Sequence, residues 1–176
     1  MKLIRGICVG SKGCGKTTML THIEHRRLGD TIHATAGVDY SMFTHDETRF
    51  QCWDASGDSK YNKVVHIFAR DCAFILYVFD ITSQSSLDTA MRWRKELHEE
   101  NKMHILIANK KDKMQRARGI STALKKYPHM SYYEISATNL LDIEQMFHAI
   151  ALNLDDLAEE DEDQASVPIR DCCTLC

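Results

Sequence analysis

Gly10-Ser11-Lys12-Gly13-Cys14-Gly15-Lys16-Thr17 carries the spacing G-x-x-x-x-G-K-[ST], with the apolar stretch Leu3-Ile4-Arg5-Gly6-Ile7-Cys8-Val9 before it and a helix-like run after it. Strand, glycine loop and helix in that order are the setting this spacing requires. The glycines let the backbone curl so that several N–H groups converge on one anion. Lys16 would reach the β- and γ-phosphates of a nucleotide, with Gly13, Cys14, Gly15 and Thr18 around them, and the Thr17 hydroxyl would ligate Mg2+. A merely flexible turn accounts for the glycines but not for Lys-Thr at this position. The chain is read as binding a nucleoside phosphate.

Outward from the loop, apolar runs alternate with helix-like segments. Phe74-Ile75-Leu76-Tyr77-Val78-Phe79 and Ile105-Leu106-Ile107-Ala108 are continuous apolar blocks, as expected of parallel strands covered on both faces. Residues 83–100 between them are polar and helix-prone, opened by Ser and Gln residues suited to capping. Val38 to His45 and Arg49 to Trp53 read as a hairpin turning around Asp46-Glu47-Thr48. Ile143, Met146, Phe147, Ile150, Leu154 and Leu157 recur at helical spacing and make one apolar face. The sum is an α/β domain of βαβ units with one antiparallel excursion. Ligands of such folds sit beyond the carboxyl ends of the strands, where Gly10, Asp54, Asn109 and Ser136 all fall.

Composition fits one globular domain: 176 residues, 44% hydrophobic and 27% charged. No run is long and apolar enough to span a bilayer, and no signal peptide is expected. Eight acidic residues and one arginine lie from Asp155 onward, so that segment carries −7 in a chain of net −3. The remainder is mildly basic without a concentrated stripe, which excludes a nucleic-acid partner. The cysteines at 8, 14, 52 and 72 lack metal-site spacing, and reduced thiols are expected. His22 and His25 share a helix face, but no carboxylate or cysteine completes a metal site; all nine histidines are read as surface residues. Residues 1–157 are taken as the nucleotide domain. Residues 158–176 are taken as an acidic, disordered tail, because the apolar pattern stops at Glu159-Glu160-Asp161-Glu162-Asp163.

The base is chosen by Asn109-Lys110-Lys111-Asp112, an N-K-x-D pattern directly after a strand. A carboxylate at Asp112 accepts from guanine N1 and the 2-amino group, a donor pair adenine lacks. Lys110 can lay its stem over the base, and Asn109 can tie this loop to the phosphate loop. Glu134-Ile135-Ser136-Ala137, with Thr138, supplies backbone N–H groups for the guanine carbonyl.

These motifs together resemble the Ras superfamily of small GTPases, and within it the Rabs. Thr35-Ala36-Gly37-Val38-Asp39-Tyr40 is similar to the Rab T-I-G-V-D-F of switch I, and Trp53-Asp54-Ala55-Ser56-Gly57 to the W-D-T-A-G that opens switch II. Tyr77-Val78-Phe79-Asp80-Ile81-Thr82 matches the V-Y-D-I-T strand end. The resemblance covers residues 2–157. It implies a P-loop G domain with a six-stranded, mostly parallel sheet and five helices, GTP or GDP held with Mg2+, and GTP hydrolysis by a monomer. It also implies exchange factors, GTPase-activating proteins and effectors as partners. Thr35 would complete the Mg2+ shell and, with Gly57, give N–H groups to the γ-phosphate, while Asp54 would hold the metal through water. Loss of that phosphate would release both loops. Tyr40, Trp53 and Phe68 match the aromatic trio through which Rab effectors read the state; packing at the edge of the core is the alternative.

Three departures stand out. Asp58 occupies the position of the glutamine that orients the attacking water, and an ionised carboxylate there adds repulsion and cannot donate the same hydrogen bond. Lys12 stands near the entry of an arginine finger, a device worth roughly 10³–10⁵ in rate. It obstructs that finger, brings its own cation or stays solvated. Leu28 replaces the aromatic that braces guanine, and Thr138 the lysine of S-A-K, so nucleotide release should be fast. The end, Asp171-Cys172-Cys173-Thr174-Leu175-Cys176, resembles Rab double-prenylation signals at Cys172 and Cys173; Cys173 to Cys176 also scans as C-a-a-X. Two lipids, added by the prenylation machinery, hold a protein on a membrane where one is marginal. This places the chain on the cytoplasmic face of vesicle or other internal membranes, with a cytosolic pool. A hydrolysis-deficient, guanine-nucleotide-dependent scaffold is the main alternative. A P-loop ATPase or kinase is disfavoured by Asp112.

Overall fold

The structure, a computed structural model, describes residues 1–28, 33–99 and 101–165, with side chains given through Leu154. Eleven regular elements follow one another: β1 (Lys2–Gly10), α1 (Lys16–His25), β2 (Val38–His45), β3 (Thr48–Ala55), α2 (Asn62–Ala69), β4 (Phe74–Asp80), α3 (Gln84–Glu96), β5 (Met103–Asn109), α4 (Ile120–Lys126), β6 (Ser131–Glu134) and α5 (Leu140–Ala165). A 3-10 turn at Ser59–Tyr61 leads into α2.

The strands form one six-stranded sheet in the order β2-β3-β1-β4-β5-β6. Only β2 runs antiparallel, paired with β3 from Val38↔Ala55 to His45↔Thr48. The expected α/β sheet with one antiparallel strand and five helices is therefore present. β1 lies centrally, with β3 on one side and β4 on the other. The chain diverges to both sides from its carboxyl end, the crevice where such sheets place ligands.

The unbroken apolar runs are explained by two covers. Leu76, Val78, Ile105 and Ile107 face one core with Met19, Leu20, Phe147 and Ile150 from α1 and α5. Their alternates Ile75, Tyr77, Phe79, Leu106 and Ala108 face another with Val65, Leu87 and Trp93 from α2 and α3. Successive residues of a strand point to opposite faces, so every position in a doubly covered strand is apolar.

Three local readings need correction. The 83–100 helix begins as read, with Ser83 Oγ accepting from Ser86 N at 3.3 Å, but stops at Glu96. There the chain turns, and Tyr77 Oη takes up the Leu97 carbonyl at 3.1 Å. At the other end, α5 does not stop near 157 but continues through Ala165. Residues 158–165 lack an apolar face, but they are Ala, Glu, Asp and Gln without Gly or Pro, and Ala, Glu and Gln carry good helix propensity. Finally, His22 and His104 are buried rather than on the surface. Each is excused by partners: His22 Nδ1 meets the Ala137 carbonyl at 2.9 Å, and His104 bonds Tyr77 Oη and the Glu99 carbonyl at 2.8 Å each.

Candidate functional site

The glycine loop joins β1 to α1 with Gly15 at φ 97°, a left-handed conformation, where an added Cβ would stand 2.1 Å from Asn109 Nδ2. Only glycine satisfies both constraints. α1 then begins at Lys16 with no side-chain cap and no acidic residue in its first turn. Its first N–H groups and the positive end of its dipole thus face the cleft, as an anion site requires. The Lys16 ammonium is buried within the loop, donating to the carbonyls of Gly10 at 3.1 Å and Ser11 at 2.9 Å. Cys14 Sγ lies 3.8 Å from it, yet burial raises the thiol pKa above its ordinary value, so Cys14 stays a neutral loop residue.

Beside the loop opens a cleft of about 450 Å3 bounded by Lys12, Gly13, Lys16, Thr17, Thr35 and Gly57. Two residues that line it, Thr17 and Thr35, meet a third, Asp54, behind its wall. Thr17 Oγ1 donates to Asp54 Oδ2 at 2.5 Å, Thr35 Oγ1 donates to the same oxygen at 2.9 Å, and the two hydroxyls are 3.1 Å apart. Asp54 is buried at the end of β3, and its Oδ1 has no partner among the described residues. Burial raises the Asp54 pKa, opposed by the two hydroxyl bonds. A buried carboxylate oxygen left without a donor, beside two hydroxyl oxygens, is an all-oxygen set suited to a hard divalent cation.

The two loops bordering the cleft are already joined, because Ser56 N donates to the Gly37 carbonyl at 2.8 Å. Gly57 lies so close to the glycine loop that a Cβ would meet Lys12 N at 2.3 Å. Asp58 lines the cleft, but its carboxylate is engaged along the chain. Oδ1 accepts from Lys60 N at 3.1 Å, capping the 3-10 turn, and Oδ2 pairs with Lys60 Nζ at 3.2 Å. These bonds hold its pKa below the usual carboxylate range.

At the base end the N-K-x-D segment is wired into the rest. Asn109 donates from Nδ2 to the Cys14 carbonyl at 2.8 Å, and its Oδ1 accepts from Ala137 N at 2.8 Å and Lys110 N at 2.7 Å. The expected tie between the two loops is present. Asp112 accepts at Oδ1 from Ser136 Oγ at 2.7 Å, which lowers its pKa, and its side chain is half exposed. Ser136 Oγ also lies 2.8 Å from Thr138 Oγ1. One expectation changes: Ser136 N donates to Asp142 Oδ2 at 2.8 Å and Ala137 N to Asn109, so these two N–H groups brace their own loop.

Sequence reasoning missed the residues behind this wiring. Asp142 holds both Ser136 N and, at 2.6 Å, Lys111 Nζ. Asp80 holds Lys110 Nζ at 2.6 Å, and His22 holds the Ala137 carbonyl. Asp80 lies in the matched strand end and His22 on a helix face, but only the fold brings them to these partners.

The chain's residues 5–156 match the sequence model of the Ras family. The chain belongs to that family. Among its relatives, human Ras-related protein Rab-37 is 32% identical over 175 residues, covering 93% of this chain and 78% of that protein. Mouse Ras-related protein Rab-15 is 32% identical over 155 residues, covering 82% and 73%. GTP-binding protein ypt3 of Schizosaccharomyces pombe is 27% identical over 158 residues, covering 84% and 74%. It is a divergent Rab-type small GTPase, a GTP hydrolase that binds GTP and GDP.

In this GTPase the aromatic trio is contiguous. Tyr40 stands edge-on to Trp53 at 5.8 Å across the β2–β3 ladder, and Trp53 lies 4.6 Å from Phe68 of α2. Trp53 and Phe68 also pack on the core beneath, while Tyr40 is 56% exposed. Two members are therefore core edge, and one faces outward. No described helix is long and apolar enough to cross a membrane. Cys172 and Cys173 lie outside the described residues.

Proposed function

We propose that this Rab-type GTPase is a switch of vesicular membrane trafficking that holds its nucleotide with Mg2+ and hydrolyses GTP slowly without help. The observation that carries this reading is the convergence of Thr17 and Thr35, both lining the cleft, on Asp54 Oδ2, while Asp54 Oδ1 has no partner among the described residues. Thr17 and Thr35 would offer hydroxyl oxygens to the metal and Asp54 its free oxygen, directly or through water. The ion bound there would neutralise charge building on the β- and γ-phosphates. Lys16 turns its ammonium from the loop carbonyls toward the phosphates. The N–H groups of Thr35 and Gly57 hold the γ-phosphate, and Asp112 accepts from the guanine edge while Ser136 steadies it. Loss of the γ-phosphate removes what both border loops share, and a partner docking on Tyr40, Trp53 and Phe68 senses the change.

Slow turnover follows from Asp58. Its carboxylate is committed to Lys60 and, being acceptor-only, cannot orient a water as an amide does. The same observation favours a second reading, a scaffold that binds GTP and recruits effectors without useful turnover. Effectors, an exchange factor and an activating protein are the partners of the first reading. Lipids on Cys172 and Cys173, reached through the acidic segment from residue 158, would hold the chain on the cytoplasmic face of internal membranes, with a cytosolic pool between visits. Single-turnover hydrolysis of GTP, with and without a cell extract containing activating proteins, separates the readings. A rise with extract supports the switch, and no turnover in either supports the scaffold. If ATP binds as well as GTP, both fail.

A further inference from the structure

At the far end of the β2–β3 hairpin from Asp54, three ligating side chains meet. His45 ends β2 and Asp46 begins the two-residue turn, while His148 comes from α5, over a hundred residues later. Asp46 Oδ2 lies 2.8 Å from His148 Nδ1 and 3.5 Å from His45 Nε2, and the three ligand atoms are all within 4.8 Å of one another. The two imidazole rings stand edge-on, 5.9 Å apart. Tetrahedral ligands about 2.0–2.1 Å from a metal are separated by about 3.3 Å, close to the 2.8 and 3.5 Å found between Asp46 and the two histidines.

The platform beneath the cluster is closely packed. Phe43 shares its sheet face with His45, two residues on, and its ring packs on Phe147, next to His148, at 4.7 Å. Both phenylalanines are buried. Asp46 sits at φ 51°, a left-handed conformation that aspartate tolerates, and that turn aims its carboxylate at α5. His148 and Asp46 are half exposed and open to solvent, whereas His45 is largely covered.

We propose that His45, Asp46 and His148 form a binding site for a late first-row divalent cation such as Zn2+, which fastens the β2–β3 turn to α5. Two imidazoles and one carboxylate suit Zn2+, Co2+, Ni2+ or Cu2+ rather than Mg2+ or Ca2+, which take oxygen ligands. The donor types therefore sort cations between this site and the oxygen set at Asp54. Three protein ligands leave a fourth position for water or for a group from a docking partner. The buried thiols of Cys8, Cys14, Cys52 and Cys72 do not compete for the ion.

The test uses the full chain carrying Cys172→Ser, Cys173→Ser and Cys176→Ser, loaded with GDP and saturating Mg2+. Zn2+ is titrated by calorimetry, and the visible spectrum of bound Co2+ reports its ligands. One Zn2+ per chain is expected, with a four- or five-coordinate Co2+ spectrum free of thiolate charge-transfer bands. Removing an outer-shell partner of a metal already costs about 10–100-fold in affinity, so His148→Gln and Asp46→Asn should each weaken Zn2+ by more than tenfold. Unchanged GDP affinity in the same variants shows that they fold. Absence of stoichiometric Zn2+ binding, or binding that survives the double variant His45→Gln/His148→Gln, overturns the site.

Discussion

At the base end of the nucleotide site, Asn109 gives and receives hydrogen bonds with Cys14, Ala137 and Lys110, Asp142 holds Ser136, and Asp80 holds Lys110. At the phosphate end, Asp54 keeps a buried oxygen without a partner among the described residues, and α1 starts without a side-chain cap. One end is braced by the protein's own bonds; the other leaves polar groups that no described residue satisfies. The first can therefore choose a base by fit, while the second can change shape with what it holds. A switch needs both behaviours a few ångströms apart, and Gly15 against Asn109 is where they meet.

The largest effect expected comes from altering the prewired end. Asp112→Asn keeps the size and the Ser136 contact but places an amide where two guanine donors must be accepted. Sites built to pair such groups discriminate strongly when the pairing fails. GDP affinity measured by calorimetry should fall by roughly 10³-fold or more, with the urea midpoint nearly unchanged. An affinity loss below tenfold would mean that Asp112 does not read the base.

The junction is the next place to break. Gly15→Ala must adopt φ near 97° with its Cβ against the Asn109 amide. Left-handed backbone alone costs a non-glycine residue about 1–2 kcal/mol. With the clash added, urea denaturation should show a loss of at least about 2 kcal/mol. Saturating GDP should not restore it fully, because Asn109 is displaced from both loops. Full rescue by GDP would show the two ends to be independent.

Asp58 separates them by chemistry. Asp58→Gln supplies an amide donor and removes a negative charge beside the phosphate cleft. Single-turnover hydrolysis should rise by about tenfold, short of the 10²–10³ that a fully aligned transition-state donor can contribute. Because glutamine caps poorly, the turn at Ser59–Tyr61 should loosen and the urea midpoint should drop slightly. Asp58→Asn keeps a capping side chain and should spare the midpoint. A rate unchanged in both variants would take Asp58 out of the proposed slow turnover and point to Lys12.

What could be read from the chain itself follows the same division. The glycine loop, N-K-x-D and both switch segments are contiguous strings whose chemistry is local, so their residues were legible, as was the alternation of buried runs that builds the sheet. Asp142, Asp80 and His22 were not, because their importance comes from residues that the fold delivers from far along the chain. α2 was missed because Val64-Val65-His66-Ile67-Phe68 is too short an apolar run to separate helix from strand. The end of α5 is hard to read because acidity signals an open segment while Ala, Glu and Gln keep helix propensity through Ala165. Asp58 was read by charge alone, and its capping of Lys60 N needed the backbone.

The smallest effect is expected at Leu28, which the family resemblance sets where an aromatic braces the guanine. It is 45% exposed, so the side chain has little packing to hold it in one place. An aromatic in its stead offers a flat face to the guanine, and a base stacked on an aromatic gains about 1–3 kcal/mol in open grooves. Leu28→Phe at so exposed a position should reach the lower bound, slowing GDP release about fivefold in stopped-flow displacement. The association rate should barely move, since most affinity changes at one site appear in dissociation. Because the base loop is anchored through Asn109 and Asp142 rather than through Leu28, the guanine-over-adenine preference should stay as it was. A release rate unaltered by the aromatic would place the control of nucleotide lifetime at the phosphate end, among Lys16, Thr17 and Asp54.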